Sequence, residues 1–285
     1  MIIIVDFGSQ TTHLIGRRIR DFGVPVQIVD PKHAVASITA EKPAGIILSG
    51  GPASVYEAGA PTVDKKIFEL GIPILGICYG WQLTAQLLGG TVESAKKEYG
   101  PTEFSVTDFS DLCYGFPEMS QVFESHGDSV TKVPAGFVSI GSTESLDQAA
   151  VKLVDGSHKI YGVQFHPEMH HTKEGKHLLQ NFVTRICLLG LRTKRIVTDT
   201  MLTEIREKVG DRKVIGAFSG GTDSAVAGMM VAQAIGKNFI PFYVESGLMR
   251  MGTKERVLKE FPKLLGVPVR VIEAEDEFLA RLAGV

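Results

Sequence analysis

Short, unbroken apolar runs recur along the first third of the chain, at residues 1–6 (Met-Ile-Ile-Ile-Val-Asp), 26–29, 45–48 and 72–77. With helical stretches between them, these runs predict an α/β fold: an open, mostly parallel sheet with helices on both faces. In such sheets the ligand crevice lies outside the carboxyl ends of the strands. Residues 81–88 place apolar side chains at Trp81, Leu83, Leu87 and Leu88 and read as a helix. From about 91 to 140 the pattern turns β-like, with 103–107 and 137–142 as antiparallel additions, and a helix over 175–189 closes a first domain at 1–190. Residues 191–200 are basic and non-periodic and read as a connection. A second βαβ series occupies 201–285: helix 201–209, strand 213–218, helix 223–235, strand 238–244, helix 253–265, strand 267–272 and a helix from near 276. Three strands are few for an independent sheet, so this second domain is expected to be a partial doubly wound parallel α/β unit.

Composition narrows the function classes. The 285 residues are 44% hydrophobic and carry 30 basic and 32 acidic side chains, a formal charge of -2. No overall charge excess points to nucleic acid or an anionic membrane surface. No apolar run approaches the roughly 20 residues that span a bilayer. Cys78, Cys113 and Cys187 are odd in number and lack metal-ligand spacing, which argues against a disulfide framework or cysteine zinc site and fits a cytoplasmic location. No metal ligands are assigned in this chain; His170 and His171 read as part of a flanking loop.

The candidate chemistry begins at Gly76-Ile77-Cys78-Tyr79-Gly80, where an apolar strand turns into a helix. An isolated cysteine is most simply a small buried hydrophobe. Here, however, glycines two residues to either side would relieve the crowding of a sharp strand-to-helix turn, as in a nucleophile elbow. The N-terminus of the following helix would stabilise negative charge on sulfur. Downstream, Tyr161-Gly162-Val163-Gln164-Phe165-His166-Pro167-Glu168 is a strand delivering a histidine and, two residues on, a carboxylate. A cysteine nucleophile needs both, one as base and one to orient it. A third strand end, Leu48-Ser49-Gly50-Gly51-Pro52, could aim the Gly51 N–H with that of Tyr79 at an oxyanion.

Together these three motifs, in this order, resemble the class I glutamine amidotransferases over about residues 1–189. The resemblance implies that Cys78 attacks the side-chain amide of glutamine, with His166 as base, Glu168 as its orienting partner and Gly51 and Tyr79 as the oxyanion hole. It also implies that Gly50, Gln82 and His126, the last within Ser125-His126-Gly127-Asp128, help hold glutamine. Unaided by it, His126 reads as a surface turn residue.

A separate motif, Ser219-Gly220-Gly221-Thr222-Asp223-Ser224, follows a strand and opens a helix. Small residues at a helix N-terminus make an anion cradle. The motif lacks the lysine of a Walker A loop and resembles instead the pyrophosphate loop of the N-type ATP pyrophosphatases. An amidotransferase ahead of such a loop, with Val5-Asp6-Phe7-Gly8-Ser9-Gln10 at the start, resembles the glutamine-hydrolysing GMP synthases. That resemblance implies glutamine, xanthosine 5′-monophosphate (XMP) and ATP with Mg as substrates. It implies a homodimer for full-length members, and a chain that stops before the rest of the pyrophosphatase domain. Glu245-Ser246-Gly247 stands where that family usually has Asp-Asn-Gly. The alternative reading is a non-catalytic or partner-dependent glutamine- or nucleotide-binding subunit.

Overall fold

The computed structural model describes residues 1–154, 156, 158–191 and 194–284, with the side chains of 95, 96 and 194–197 also left undescribed. The backbone divides into two compact units, Met1–Lys194 and Arg195–Val285. In the first unit the elements are β1 (Ile2–Val5), α1 (Thr12–Asp21), β2 (Val26–Val29), α2 (Ala34–Glu41), β3 (Gly45–Leu48), β4 (Ile74–Ile77) and α3 (Tyr79–Leu87). They are followed by β5 (Thr91–Val106), β6 (Met119–Lys132), β7 (Phe137–Thr143), β8 (Ala150–Leu153), β9 (Ile160–Val163) and α4 (Gly175–Asn181). Among the described residues nine strands form one sheet in the order β2-β1-β3-β4-β9-β8-β7-β5-β6. The first five run parallel, and the β8-β7-β5-β6 extension is antiparallel.

Alternation along β1 explains why its sequence is apolar throughout. Ile2 and Ile4 enter one core layer with Ile15 and Ile19 of α1 and Leu178 and Leu179 of α4. Ile3 and Val5 enter the opposite layer with Ile38 of α2 and Trp81 and Leu83 of α3. A parallel strand covered on both faces has no polar side to show. The expected strands and antiparallel additions are present, with different limits. β5 extends back to Thr91 and pairs with a long β6 that the sequence pattern did not delimit. The closing helix is α-helical only over Gly175–Asn181 and continues as a π-type turn over Phe182–Ile186.

The second unit contains α5 (Lys194–Val209), β10 (Val214–Phe218), α6 (Thr222–Ile235), β11 (Phe239–Glu245), α7 (Thr253–Leu265), β12 (Arg270–Glu273) and α8 (Glu275–Leu282). Helix α5 thus covers most of the 191–200 stretch read as connection, of which residues 192 and 193 lie outside the described residues. The three strands are parallel in the order β10-β11-β12. Phe218, Phe239, Tyr243, Val257 and Phe261 pack on one face. On the other face Ile215 is 71% and Ile272 47% exposed. No helix among the described residues is long and apolar enough to cross a membrane.

Candidate active site

Cys78 occupies the junction between β4 and α3 with φ 50° and ψ -108°, a backbone conformation that L-residues rarely adopt. Such strain costs on the order of 1–3 kcal/mol and persists only when the surroundings over-determine it. They do so here. The Cys78 N–H donates to Val163 O at 2.8 Å, tying the turn to β9, and Gly80 N donates to Ser49 O at 3.0 Å, tying it to the end of β3. A Cβ on Gly76 would lie 2.8 Å from backbone atoms of Trp81, and one on Gly80 only 2.3 Å from Leu48 O. The two flanking glycines are therefore required by close backbone approach. Gly80→Ala is expected to destabilise the protein at the upper end of the roughly 1–3 kcal/mol typical of overpacking. Gly190→Ala, with open space around it, should stay within about 0.5 kcal/mol; denaturant midpoints of the two variants make the comparison.

His166 follows β9, its N–H donating to Phe123 O at 3.0 Å and its carbonyl accepting from Thr172 Oγ1 at 2.7 Å. Its imidazole Nδ1 lies 2.8 Å from Glu168 Oε1. Burial opposes charge on this ring, but hydrogen bonds to the Cys78 thiol and the Glu168 carboxylate outweigh it and hold the imidazole pKa well above its ordinary value. Glu168 is fully buried. The same Oε1 accepts from Thr11 Oγ1 at 2.6 Å, and Thr11 is braced in turn by Ser9 Oγ at 2.8 Å. Arg18 Nε donates to the Glu168 carbonyl at 3.3 Å.

Around this line lies a cavity of about 630 Å³ whose walls include Gly51, Cys78, Gln82, His126, Asp128 and His166. That volume is within the usual range of small-molecule sites. Gly51 is packed so closely that a Cβ would meet Phe7 O at 2.9 Å and the Tyr79 ring at 3.2 Å. Gly50 lies behind His166, its would-be Cβ 3.1 Å from Cε1. Gln82 is buried and donates from Nε2 to Asp128 O at 2.8 Å. His126 is not in a surface turn: it lies inside β6, 5% exposed, with its imidazole turned onto Glu124 and Glu98. Three neighbours escaped the sequence reading. Thr11 and Arg18 meet Glu168, and Gln164 Nε2 lies 3.7 Å from Cys78 Sγ. Only Gln164 carried a signal, being one residue from Phe165-His166 on the strand that delivers the base.

In the second unit, residues 219–221 connect β10 to α6 and 222–224 open the helix, with Gly221 at the helix cap and Gly220 at φ 76°. The Ser219 and Ser224 hydroxyls lie 3.2 Å apart, and Ser224 Oγ donates to Gly221 O at 3.1 Å. Thr222 and Asp223 form the first turn of α6. Arg256 of α7 donates to Gly220 O. Lys254 pairs with Glu273 at 2.7 Å.

A family model described as "Glutamine amidotransferase class-I" matches residues 3–186, the region that holds Cys78, His166 and Glu168. The chain belongs to the class I glutamine amidotransferases. Over its whole length this amidotransferase is 46% identical to "GMP synthase [glutamine-hydrolyzing]" of Streptomyces coelicolor and 45% identical to that of Staphylococcus carnosus. It covers 54% and 55% of those proteins, so it spans about half the length of the curated relatives it matches. A crystal structure from Thermoplasma acidophilum, described as that of a GMP synthase subunit, shows 33% identity and TM-score 0.59, over 66% of this chain and 93% of that one. The chain is thus similar to enzymes named for glutamine hydrolysis, and the amidotransferase family model covers its residues 3–186.

Proposed function

We propose that the first unit hydrolyses the side-chain amide of glutamine through Cys78, and that the released ammonia serves an ATP-dependent amination of XMP to GMP, in purine nucleotide biosynthesis in the cytoplasm. The observation that carries the first half is the placing of Cys78 and His166 on one cavity wall, with His166 Nδ1 2.8 Å from the buried Glu168 Oε1. In this reaction the Cys78 thiolate adds to the amide carbon, and the N–H groups of Gly51 and Tyr79 receive the oxyanion. His166, held protonated, gives its proton to the leaving nitrogen, so that ammonia departs and a thioester remains. Water then attacks with His166 as base, and collapse returns the thiolate and glutamate. Glu168 keeps Nδ1 protonated and the ring aimed at sulfur throughout. Gly50, Gln82 and His126 shape the pocket for the glutamine backbone.

For the second half, the support is similarity to GMP synthases across both units and the loop at 219–224. Ser219 and Gly221 are exposed at the strand–helix junction, with Gly220 buried beneath them and the Gly221 N–H donating to Ser219 Oγ at 3.4 Å. With Thr222, Asp223 and Ser224 opening a 14-residue helix, the loop suits the phosphates of ATP, delivered as the Mg complex. Purified alone, this 285-residue chain is expected to convert glutamine to glutamate and ammonia in equal amounts. Given XMP, Mg-ATP and ammonium it is expected to form no GMP, because a three-stranded sheet with one exposed apolar face holds a phosphate site too loosely for acceptor activation. Stoichiometric GMP and pyrophosphate would contradict that expectation; absence of glutamate would contradict the glutaminase assignment.

A further inference from the structure

On β6, Val122, Glu124, His126 and Val130 share the buried face of the strand. Two ionisable groups therefore stand between apolar neighbours. Glu124 is 1% exposed, and its Oε2 lies 3.1 Å from His126 Nε2; Glu98 Oε2 lies 3.4 Å from the same nitrogen. Glu98 sits directly across the ladder from His126, whereas Glu124 faces Gly100, which has no side chain to offer. Among the described residues no hydrogen bond reaches either oxygen of Glu124 or either ring nitrogen of His126, so their close approach at 3.1 Å is what compensates the burial of both. A buried carboxylate without a partner is strongly destabilising.

Next to this cluster the β5–β6 register shifts by a bulge. Ser94 pairs with Asp128 and Glu98 with His126, so three residues of β5 stand opposite Gly127 alone. Strand pairing holds Ser125, His126 and Asp128 but gives Gly127 no ladder partner among the described residues, and this is the stretch that forms the pocket wall. Ser125 O lies 3.8 Å from Cys78 Sγ, and Asp128 O receives the Gln82 amide at 2.8 Å. We infer that Glu98, His126 and Glu124 act as positioning residues, a buried polar cluster that holds residues 125–128 against Cys78 and Gln82 where the β5–β6 register shifts. The inference rests on the glutaminase reading of that pocket. His126 is itself part of the wall and the two carboxylates meet it from outside the cavity lining, so their loss should loosen substrate fit while Cys78 and His166, held by β4 and β9, stay reactive.

The test compares Glu124→Gln with wild type by steady-state glutamine hydrolysis and by two alkylators of Cys78, iodoacetamide and a diazo-ketone glutamine analogue. Expected is a rise in KM for glutamine of about tenfold or more, as small misplacements of a binding wall produce. The analogue should slow in parallel, whereas iodoacetamide should react within about twofold of wild type and kcat should change less than KM. Glu98→Gln, at a partly exposed position, should move the same quantities in the same direction and serves if Glu124→Gln does not fold. Unchanged KM in a folded variant, or equal slowing by both alkylators, would overturn the inference. A wild-type chain inert toward both glutamine and the analogue would instead overturn the glutaminase reading beneath it.

Discussion

Cys78→Ala is expected to abolish glutamine hydrolysis, with a loss of about 10⁴-fold or more, because removing a nucleophile removes the covalent route altogether. The other two thiols cannot substitute. Burial pushes both Cys113, which also lies near Asp108, and Cys187 up to about 12. Neither is placed at a helix N-terminus beside an imidazole. Cys187 instead packs against Gly45 in the core. Cys187→Ala should therefore retain hydrolysis near the wild-type rate. The folded state of Cys78→Ala is checked by its unfolding midpoint, which should not fall, since the backbone hydrogen bond from residue 78 to Val163 stays in place.

His166→Ala should come close to the same loss, and Glu168→Gln should retain roughly tenfold to a hundredfold more activity than it, because an imidazole remains to move the proton. The two variants also differ in their pH dependence. The proton on His166 is opposed by burial and favoured by hydrogen bonds to Cys78 and Glu168. The reaction needs that proton for the leaving nitrogen, so activity falls as pH rises through the raised imidazole pKa. Removing the Glu168 charge removes one of the supports, and the alkaline limb of kcat/KM should move to lower pH in Glu168→Gln. An unmoved limb would show that Glu168 does not set the charge of the base. Equal activity in His166→Ala and wild type would show that another group is the base.

The sheet was legible in the sequence where burial on both faces wrote itself as unbroken apolar runs, as in β1, β3 and β4. The elbow was legible because the geometry at Cys78 forces glycine at 76 and 80. What failed to show was structure held by long-range contacts. Glu93, Lys97 and Glu98 break any apolar alternation in β5, so its start at Thr91 is set by pairing with β6 rather than by its own pattern. His126 looked polar enough for a turn because its partners, Glu98 and Glu124, are themselves charged and only the fold makes them its neighbours. Thr11 meets Glu168 across 157 residues of chain, a separation over which no local signal runs. At residues 194–200 the basic, non-periodic composition hid the first half of α5, whose second half, 201–209, was legible as a helix.

The central claim is that Cys78 is the glutamine-attacking thiol, and peptide mapping after brief exposure to a diazo-ketone glutamine analogue tests it most directly. The expected result is a single adduct on the peptide bearing Cys78, prevented by excess glutamine, with the Cys113 and Cys187 peptides unmodified. Labelling of Cys113 or Cys187 in preference to Cys78, or labelling of Cys78 that glutamine does not prevent, would contradict it.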